Sequence, residues 1–232
     1  MSTTLSPAAT TTSAAATAGR VRAAVVSILL TLGAVVLAVL VLWQPWGERD
    51  HLGYADLAPH RDAAWLGAVA DGLAFAVLYV ALGLAVCRLA GGRGWVWATV
   101  GAVVTGLGGV AFAAGMAAFG SLAWYATSTD AIPVEAGTAL MAYVEDSPGH
   151  VLGLQMAGFL LATVGTLVLM VALWRARSVP RWLPIGYLVL TVGVFVLSGV
   201  ALNIVQAVQT LSLVAVAFFA WRAAARPANL AG

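Results

Sequence analysis

The feature that most constrains this chain is a series of long apolar stretches with almost no charge. Residues 23–43 read AAVVSILLTLGAVVLAVLVLW. A helix needs about 20 apolar residues to cross roughly 30 Å of hydrocarbon. Six stretches qualify or nearly qualify, at about 23–43, 63–87, 95–120, 149–174, 182–201 and 204–221. The sequence therefore predicts an all-α fold, an integral membrane six-helix bundle, whose last two spans form a tight hairpin that turns at 201–203.

Composition supports the same class of protein. The chain has 232 residues, of which 62% are hydrophobic and 9% charged, and its mean hydropathy is +0.98. Soluble domains carry about 25% charged residues, which wet their surface. So little charge could not cover a soluble surface, and the lipid bilayer is the predicted partner. The single cysteine, Cys87, excludes an internal disulfide.

Three segments are predicted along the chain. Residues 1–19 are polar and of low complexity, which is typical of a disordered N-terminal tail. Residues 20–222 form the six-span transmembrane domain, and residues 223–232 form a cytoplasmic C-terminal tail. The first apolar run exceeds the roughly 7–15 residues of a signal-peptide core, so an uncleaved first span is expected.

The loops on the two sides of the predicted crossings differ in their number of arginines. Nine arginines fall on one side of six crossings, whereas Arg49 and Arg61 fall on the other. Positively charged loops stay in the cytoplasm. Tryptophans such as Trp43, Trp95 and Trp182 mark span boundaries, where indole rings prefer to lie. The expected location is the bacterial cytoplasmic (plasma) membrane, with multiple passes and both termini inside (N-in/C-in).

Two patterns predict how the helices pack. In span 3, small residues recur every four positions, which lets neighbouring helices approach closely and predicts a central helix; dimerisation through this face is the alternative. In the loop after Pro133, the apolar residues share one helical face, which predicts a short helix on the outer membrane surface. The two sets are Gly101, Thr105, Gly109, Ala113 and Ala117, and then Val134, Gly137, Leu140, Met141 and Val144.

Asp71 is the candidate functional residue because it is the one acid inside a predicted span. An aspartate at mid-helix costs about 2.5–3.5 kcal/mol on insertion scales, so its side chain should face the protein interior or a wet cavity. Other polar residues gather at a similar depth and predict an outward-facing polar pocket above a dry inner half. An alternative is that they only hold the helices together. The candidates are Gln155, Ser198, Asn203, Gln206, Gln209 and Thr210.

Catalytic and metal-binding patterns are sparse. His51, His60 and His150 all fall in outer loops near acidic residues, but their spacing matches no metal motif, so they are weak metal candidates and no cofactor is expected. No nucleophile–base pattern marks an enzyme, and no basic cluster indicates nucleic acid.

The segment VALWRARSVPRWLPIGYLVL, residues 171–190, resembles the inner hairpin of uncharacterised multi-pass membrane proteins of actinobacteria. In those proteins, one span ends in an Arg-x-Arg motif and the next span begins with Pro-Arg-Trp. The segment VEAGTALMAYVEDSPGHVLGLQMAGFLL is similar to their long outer loop and fourth span, so the resemblance covers 134–201. It implies a six-span membrane fold and a location in the cell membrane.

Three function classes follow. The leading hypothesis is a non-enzymatic membrane protein that senses a ligand or binds a membrane-protein partner or a second copy of itself. The alternative is a small transporter or proton-coupled permease using Asp71, which would need a polar route across both halves of the membrane. A metal-dependent membrane enzyme would require the outer histidines to converge.

Overall fold

The computed structural model describes residues 7–44 and 53–225, and within them the fold is all-α. Short 3-10 turns precede α3 and α6, at Ala58–His60 and Pro148–His150. The eight α-helices are α1 (Pro7–Trp43), α2 (Tyr54–Leu57), α3 (Arg61–Leu89), α4 (Trp95–Ala126), α5 (Val134–Asp146), α6 (Gly153–Ala176), α7 (Trp182–Val196) and α8 (Gly199–Ala225).

Five of these helices, α1, α3, α4, α6 and α8, are long and apolar enough to cross a membrane. The predicted fold class is thereby confirmed as all-α with several candidate spans. α7 is also apolar but has 15 residues. At about 1.5 Å per residue it is about 22 Å long, which is shorter than a typical hydrocarbon core.

The turn between the last two apolar helices lies earlier than the sequence predicts. α7 ends at Val196, Leu197 is extended, and α8 begins at Gly199, where φ is +60°. A glycine adopts this left-handed conformation without steric cost. The predicted turn residues Ala201–Asn203 are therefore part of the first turns of α8.

The chain ends also differ from expectation. Residues 1–19 were expected to be disordered, but α1 begins at Pro7. Alanine has the highest helix propensity, and a helix that is already nucleated extends cheaply into an alanine-rich segment. At the other end, α8 continues to Ala225, into the expected tail at 223–232. Residues 1–6 and 226–232 lie outside the described part of the chain.

α4 is the central helix, and it packs against α3 on one side and α6 on the other. A Cβ added at Gly108 would overlap the backbone of Ala162, and one at Gly158 would overlap the backbone of Phe112. These glycines allow the two helices to touch backbone to backbone. The sequence prediction of a central helix packed through small residues is confirmed.

The small residues of α4 contact two different neighbouring helices. Gly101 packs on Leu169 of α6, whereas Gly109 packs on Ala76 of α3. The two contact faces hold α3, α4 and α6 as one three-helix layer. Because lipid removes the hydrophobic drive between helices, such close approach is the main source of attraction in this layer.

α1 and α8 form a second layer. Ser27 Oγ donates a hydrogen bond to the Ala217 carbonyl at 3.0 Å, and Gly33 packs on Leu78 of α3. α7 contacts α8 on one side and α6 on the other. The bundle therefore consists of a layer of α3, α4 and α6, a pair formed by α1 and α8, and the short α7 at one edge.

The outer surface of the bundle is apolar. On α4, five side chains at helical spacing are between 51% and 63% exposed: Val96, Val100, Val103, Leu107 and Val110. A face of this kind would be costly in water but suits lipid. The apolar helices and their exposed faces together indicate a membrane protein.

The two ends of the bundle differ. At the loop end, which carries α2 and α5, Gly137 of α5 packs against the Ala126 carbonyl of α4. This confirms the helix predicted after Pro133, with Gly137, Met141 and Val144 as its buried residues. At the arginine end, Arg88 Nη1 donates a hydrogen bond to the Gly19 carbonyl at 3.0 Å. The arginines of α1 and of the α3–α4 loop therefore share one end.

We predict that Gly158→Ala destabilises the protein by about 1–3 kcal/mol, because the added methyl overpacks the α4–α6 contact. Gly186→Ala in α7 is the matched control, since its Cβ would meet nothing within 4 Å. That substitution should be neutral or should stabilise the helix by roughly 0.5–1 kcal/mol. Thermal unfolding of both variants in detergent measures the difference, and equal effects would contradict the close packing.

Candidate functional site

One face of α3 lines a cavity between the two layers. Arg61, Ala64, Ala68, Asp71 and Phe75 recur at three- and four-residue intervals, and Tyr79 continues the series. The cavity has a volume of about 380 Å³, within the range of about 300–1,000 Å³ typical of small-molecule sites. It runs from the loop end of the bundle to the middle of α3.

Asp71 lies on this cavity wall and is 8% exposed. The orientation agrees with the energetic expectation, because a carboxyl facing lipid would lack any compensating interaction. Leu73 and Val77, which belong to other faces of α3, are 61% and 39% exposed. The rotation that buries Asp71 therefore turns apolar side chains outward.

Three glutamines reach the same cavity from two other helices. Gln155 comes from α6, and Gln206 and Gln209 come from α8, together with Thr210. Gln209 Nε2 donates a hydrogen bond to Thr191 Oγ1 of α7 at 2.7 Å. The structure thus brings Asp71 and the three predicted glutamines around one cavity.

The amide of Gln155 is incompletely bonded. Its Oε1 is buried, and within the described part of the chain it has no hydrogen-bond partner. Gly115 of α4 packs directly against the backbone of Gln155, so this contact holds the Cα of Gln155 close to α4. A buried acceptor in this state is destabilising until a donor reaches it.

Two predicted site residues are not among those that line the cavity. Ser198 is exposed in the junction between α7 and α8, and Asn203 is half-buried in the second turn of α8. The early turn at Leu197 explains both positions, because it moves Ser198 out of a helix and gives α8 its register from Gly199.

Aromatic side chains make up much of the wall, and the sequence prediction did not include them. The Phe75 ring stacks on Phe112 with centroids 3.9 Å apart, and Phe159 lies 6.5 Å from Phe75. A signal was present, since Phe75 follows Asp71 by four residues and Phe159 follows Gln155 by four. Residues four apart on a helix share one face.

The loop end of the cavity carries a small charged cluster. Trp124 Nε1 donates a hydrogen bond to Asp62 Oδ1 at 2.7 Å. Arg61 Nε lies 3.9 Å from the same oxygen, and its guanidinium lies 5.4 Å from the centroid of the Trp124 ring. Leu57 and Leu152 also line the cavity here.

The opposite end of the cavity is closed. Side-chain hydrogen bonds link Tyr79 to Tyr187 and Tyr187 to Thr166, which joins α3, α7 and α6. Beyond them lies a core of fully buried apolar side chains that includes Leu82, Val86, Leu169, Leu173 and Val216. The cavity therefore ends at a tightly packed half of the bundle.

The outer histidines do not form a centre in the described part of the chain. His60 and His150 are exposed, and residues 7–44 and 53–225 contain no group of three or more His, Cys, Asp or Glu side chains that could hold a metal ion. His51 lies outside these residues. The metal candidates therefore gain no geometric support.

Comparisons with protein families, with curated proteins and with solved structures found no match for this chain.

We predict a measurable coupling between Gln209 and Thr191, because their hydrogen bond joins α8 to α7. Gln209→Leu and Thr191→Val should each destabilise the protein, with a coupling energy of about 0.6 kcal/mol, the average for interhelical hydrogen bonds in membranes. A double-mutant cycle on unfolding free energies measures it.

Thr163→Val is the control for this cycle, since the Thr163 hydroxyl bonds the Phe159 carbonyl of its own helix. Combined with Gln209→Leu, its effect should be additive. Additivity in the Gln209 and Thr191 cycle as well would show that the hydrogen bond contributes nothing.

Proposed function

We propose that this chain is a non-enzymatic integral membrane protein that binds a small ligand in the cavity around Asp71, as a sensor or as the ligand-binding member of a membrane complex. The observation that carries the proposal is the meeting of a buried carboxyl and three glutamines at one small-molecule-sized cavity. Placing a polar side chain inside a membrane-spanning bundle costs free energy. Four such side chains around one cavity therefore indicate a binding role.

Binding is favoured over permeation by the distribution of polarity. The polar lining residues lie in the half of the bundle toward the loop end, whereas the other half is filled by residues such as Leu82, Leu169 and Leu173 with no exposed area. A transporter or proton-coupled permease using Asp71 would have to open this packed half. It remains the alternative function.

The lining residues also favour binding over catalysis. The titratable side chains among them are Asp71, Arg61 and Tyr79. The other polar groups are three amides, two threonine hydroxyls and two indoles. The cavity lining, as far as the structure describes it, pairs no serine, cysteine or histidine with a base, which nucleophilic catalysis would require.

We further propose a location in the bacterial cytoplasmic membrane, with six membrane segments that include the short α7, and with the arginine end in the cytoplasm. The arginines in the last turns of α3 and α6 and in the loops that follow them support this orientation, since basic segments beside a span remain inside. In this orientation the cavity faces outward. The corresponding residues are Arg88, Arg93, Arg175, Arg177 and Arg181.

Cysteine labelling tests the orientation. In a Cys87→Ala background, we expect a membrane-impermeant maleimide to label Asp56→Cys and Thr138→Cys in intact cells. Gly91→Cys, at an exposed position of the arginine end, should be labelled only after the cells are opened. Both Asp56 and Thr138 are exposed at the loop end. Labelling of Gly91→Cys in intact cells would overturn the proposed topology.

The accessibility of the cavity tests the function. Met116 lines the cavity, whereas Met170 is packed in the closed half; they are 7% and 1% exposed. In the same background, a small membrane-impermeant methanethiosulfonate applied outside should modify Met116→Cys and spare Met170→Cys. Modification of both would favour a permeation route, and modification of neither would contradict an outward-facing site.

A further inference from the structure

We propose that the cavity binds a hydrophobic organic ammonium, with its N–H groups between Asp71 and Gln155 and its apolar body against the aromatic wall. This inference rests on the proposed function, because it names the ligand class of the same site. Three independent features carry it: the carboxyl of Asp71 on the cavity wall, an acceptor that needs a donor, and the aromatic surroundings.

Asp71 is the one acid among the described residues that line the cavity. Arg61 is the one basic residue among the described lining residues, and it precedes Asp71 by ten positions on α3. This spacing separates their backbones by about 15 Å. Arg61 also already contacts Asp62 and Trp124. A carboxyl on the cavity wall can accept a hydrogen bond from a cationic ligand, and such charge-assisted hydrogen bonds are stronger than neutral ones.

The unbonded acceptor specifies the kind of cation. Gln155 Oε1 is buried on the cavity wall without a donor in the described part of the chain. Gly115 packs against the backbone of Gln155, next to Met116 of the lining. A primary ammonium has three N–H donors and can serve both a carboxylate and an amide oxygen. A quaternary ammonium has none and would leave Gln155 unsatisfied.

The aromatic residues supply the rest of the site. Phe75 contacts Phe112 and Tyr79, with ring centroids at 3.9 and 4.4 Å. Faces of aromatic rings attract cations, and their area buries an apolar ligand body. Phe75 is on the same helical face as Asp71, so the ammonium and aromatic subsites adjoin.

The cavity wall also reaches the surface of the bundle. Met156 and Trp65 line the cavity and yet are 55% and 42% exposed. An amphiphile that partitions into the bilayer can therefore approach the wall from its lipid-facing side. This fits a ligand with one ammonium and an apolar body better than it fits a strongly hydrated solute.

The test measures binding of three matched probes to the full chain in nanodiscs, with empty nanodiscs as the partition reference. The probes are phenethylamine, its trimethylammonium analogue and phenethyl alcohol. Phenethylamine should bind at least about tenfold more tightly than phenethyl alcohol, and Asp71→Asn should weaken it by about 10- to 100-fold, as expected for a hydrogen bond to a charged group. Asp130→Asn, which alters an exposed acid, is the control.

Gln155→Met is the second variant, and it keeps the test informative if Asp71→Asn fails to fold. It removes the acceptor at similar volume, so it should weaken phenethylamine by about tenfold and leave the trimethylammonium analogue unchanged. Equal loss for both cations would overturn the assignment of Gln155.

The outcomes separate the two proposals. If phenethyl alcohol binds as tightly as phenethylamine, or if both variants bind phenethylamine like the wild type, the ammonium inference is wrong and the cavity remains a binding site. If no probe binds and Met116→Cys also resists modification from outside, the proposed function itself is wrong.

Discussion

The backbone contact between α4 and its neighbours is the constraint on which the rest of the fold depends. In lipid, helices gain little from burying apolar surface, so association depends on close van der Waals packing. Gly108 and Gly158 provide this for α4 and α6, and Gly72 provides it for α3 and α4. Toward the loop end, Phe112 and Met116 of α4 line the cavity that lies between the two layers.

Much of the fold follows from the sequence because membrane insertion is governed by local properties. The length of each apolar run predicted the main helices, the small residues at four-residue spacing predicted the central α4, and the energetic cost of a buried acid predicted the inward orientation of Asp71. The helix α5 was predicted from the spacing of its apolar face after Pro133. None of these features requires knowledge of a distant contact.

Other features could not be read from the sequence because they depend on backbone conformation or on contacts between helices. Hydropathy does not distinguish a continued helix from the extended Leu197 and left-handed Gly199, so Ser198 and Asn203 were assigned to the wrong environment. The stacking of Phe75 on Phe112 requires the register of α3 against α4. Gln155 Oε1 is known to be unbonded only once every neighbour is placed.

If α7 crosses the bilayer as proposed, its length ties the protein to the thickness of that bilayer. A helix of about 22 Å leaves roughly 8 Å of a 30 Å hydrocarbon core unmatched. Val196 and Val200, beside the α7–α8 junction, are 75% and 74% exposed. In the proposed arrangement, acyl chains would have to bend over them or the bilayer would have to thin locally. Such mismatch costs fractions of a kcal/mol per Å. With α7 as a sixth span, thick, ordered membranes would disfavour this chain, and thin or fluid ones would accommodate it.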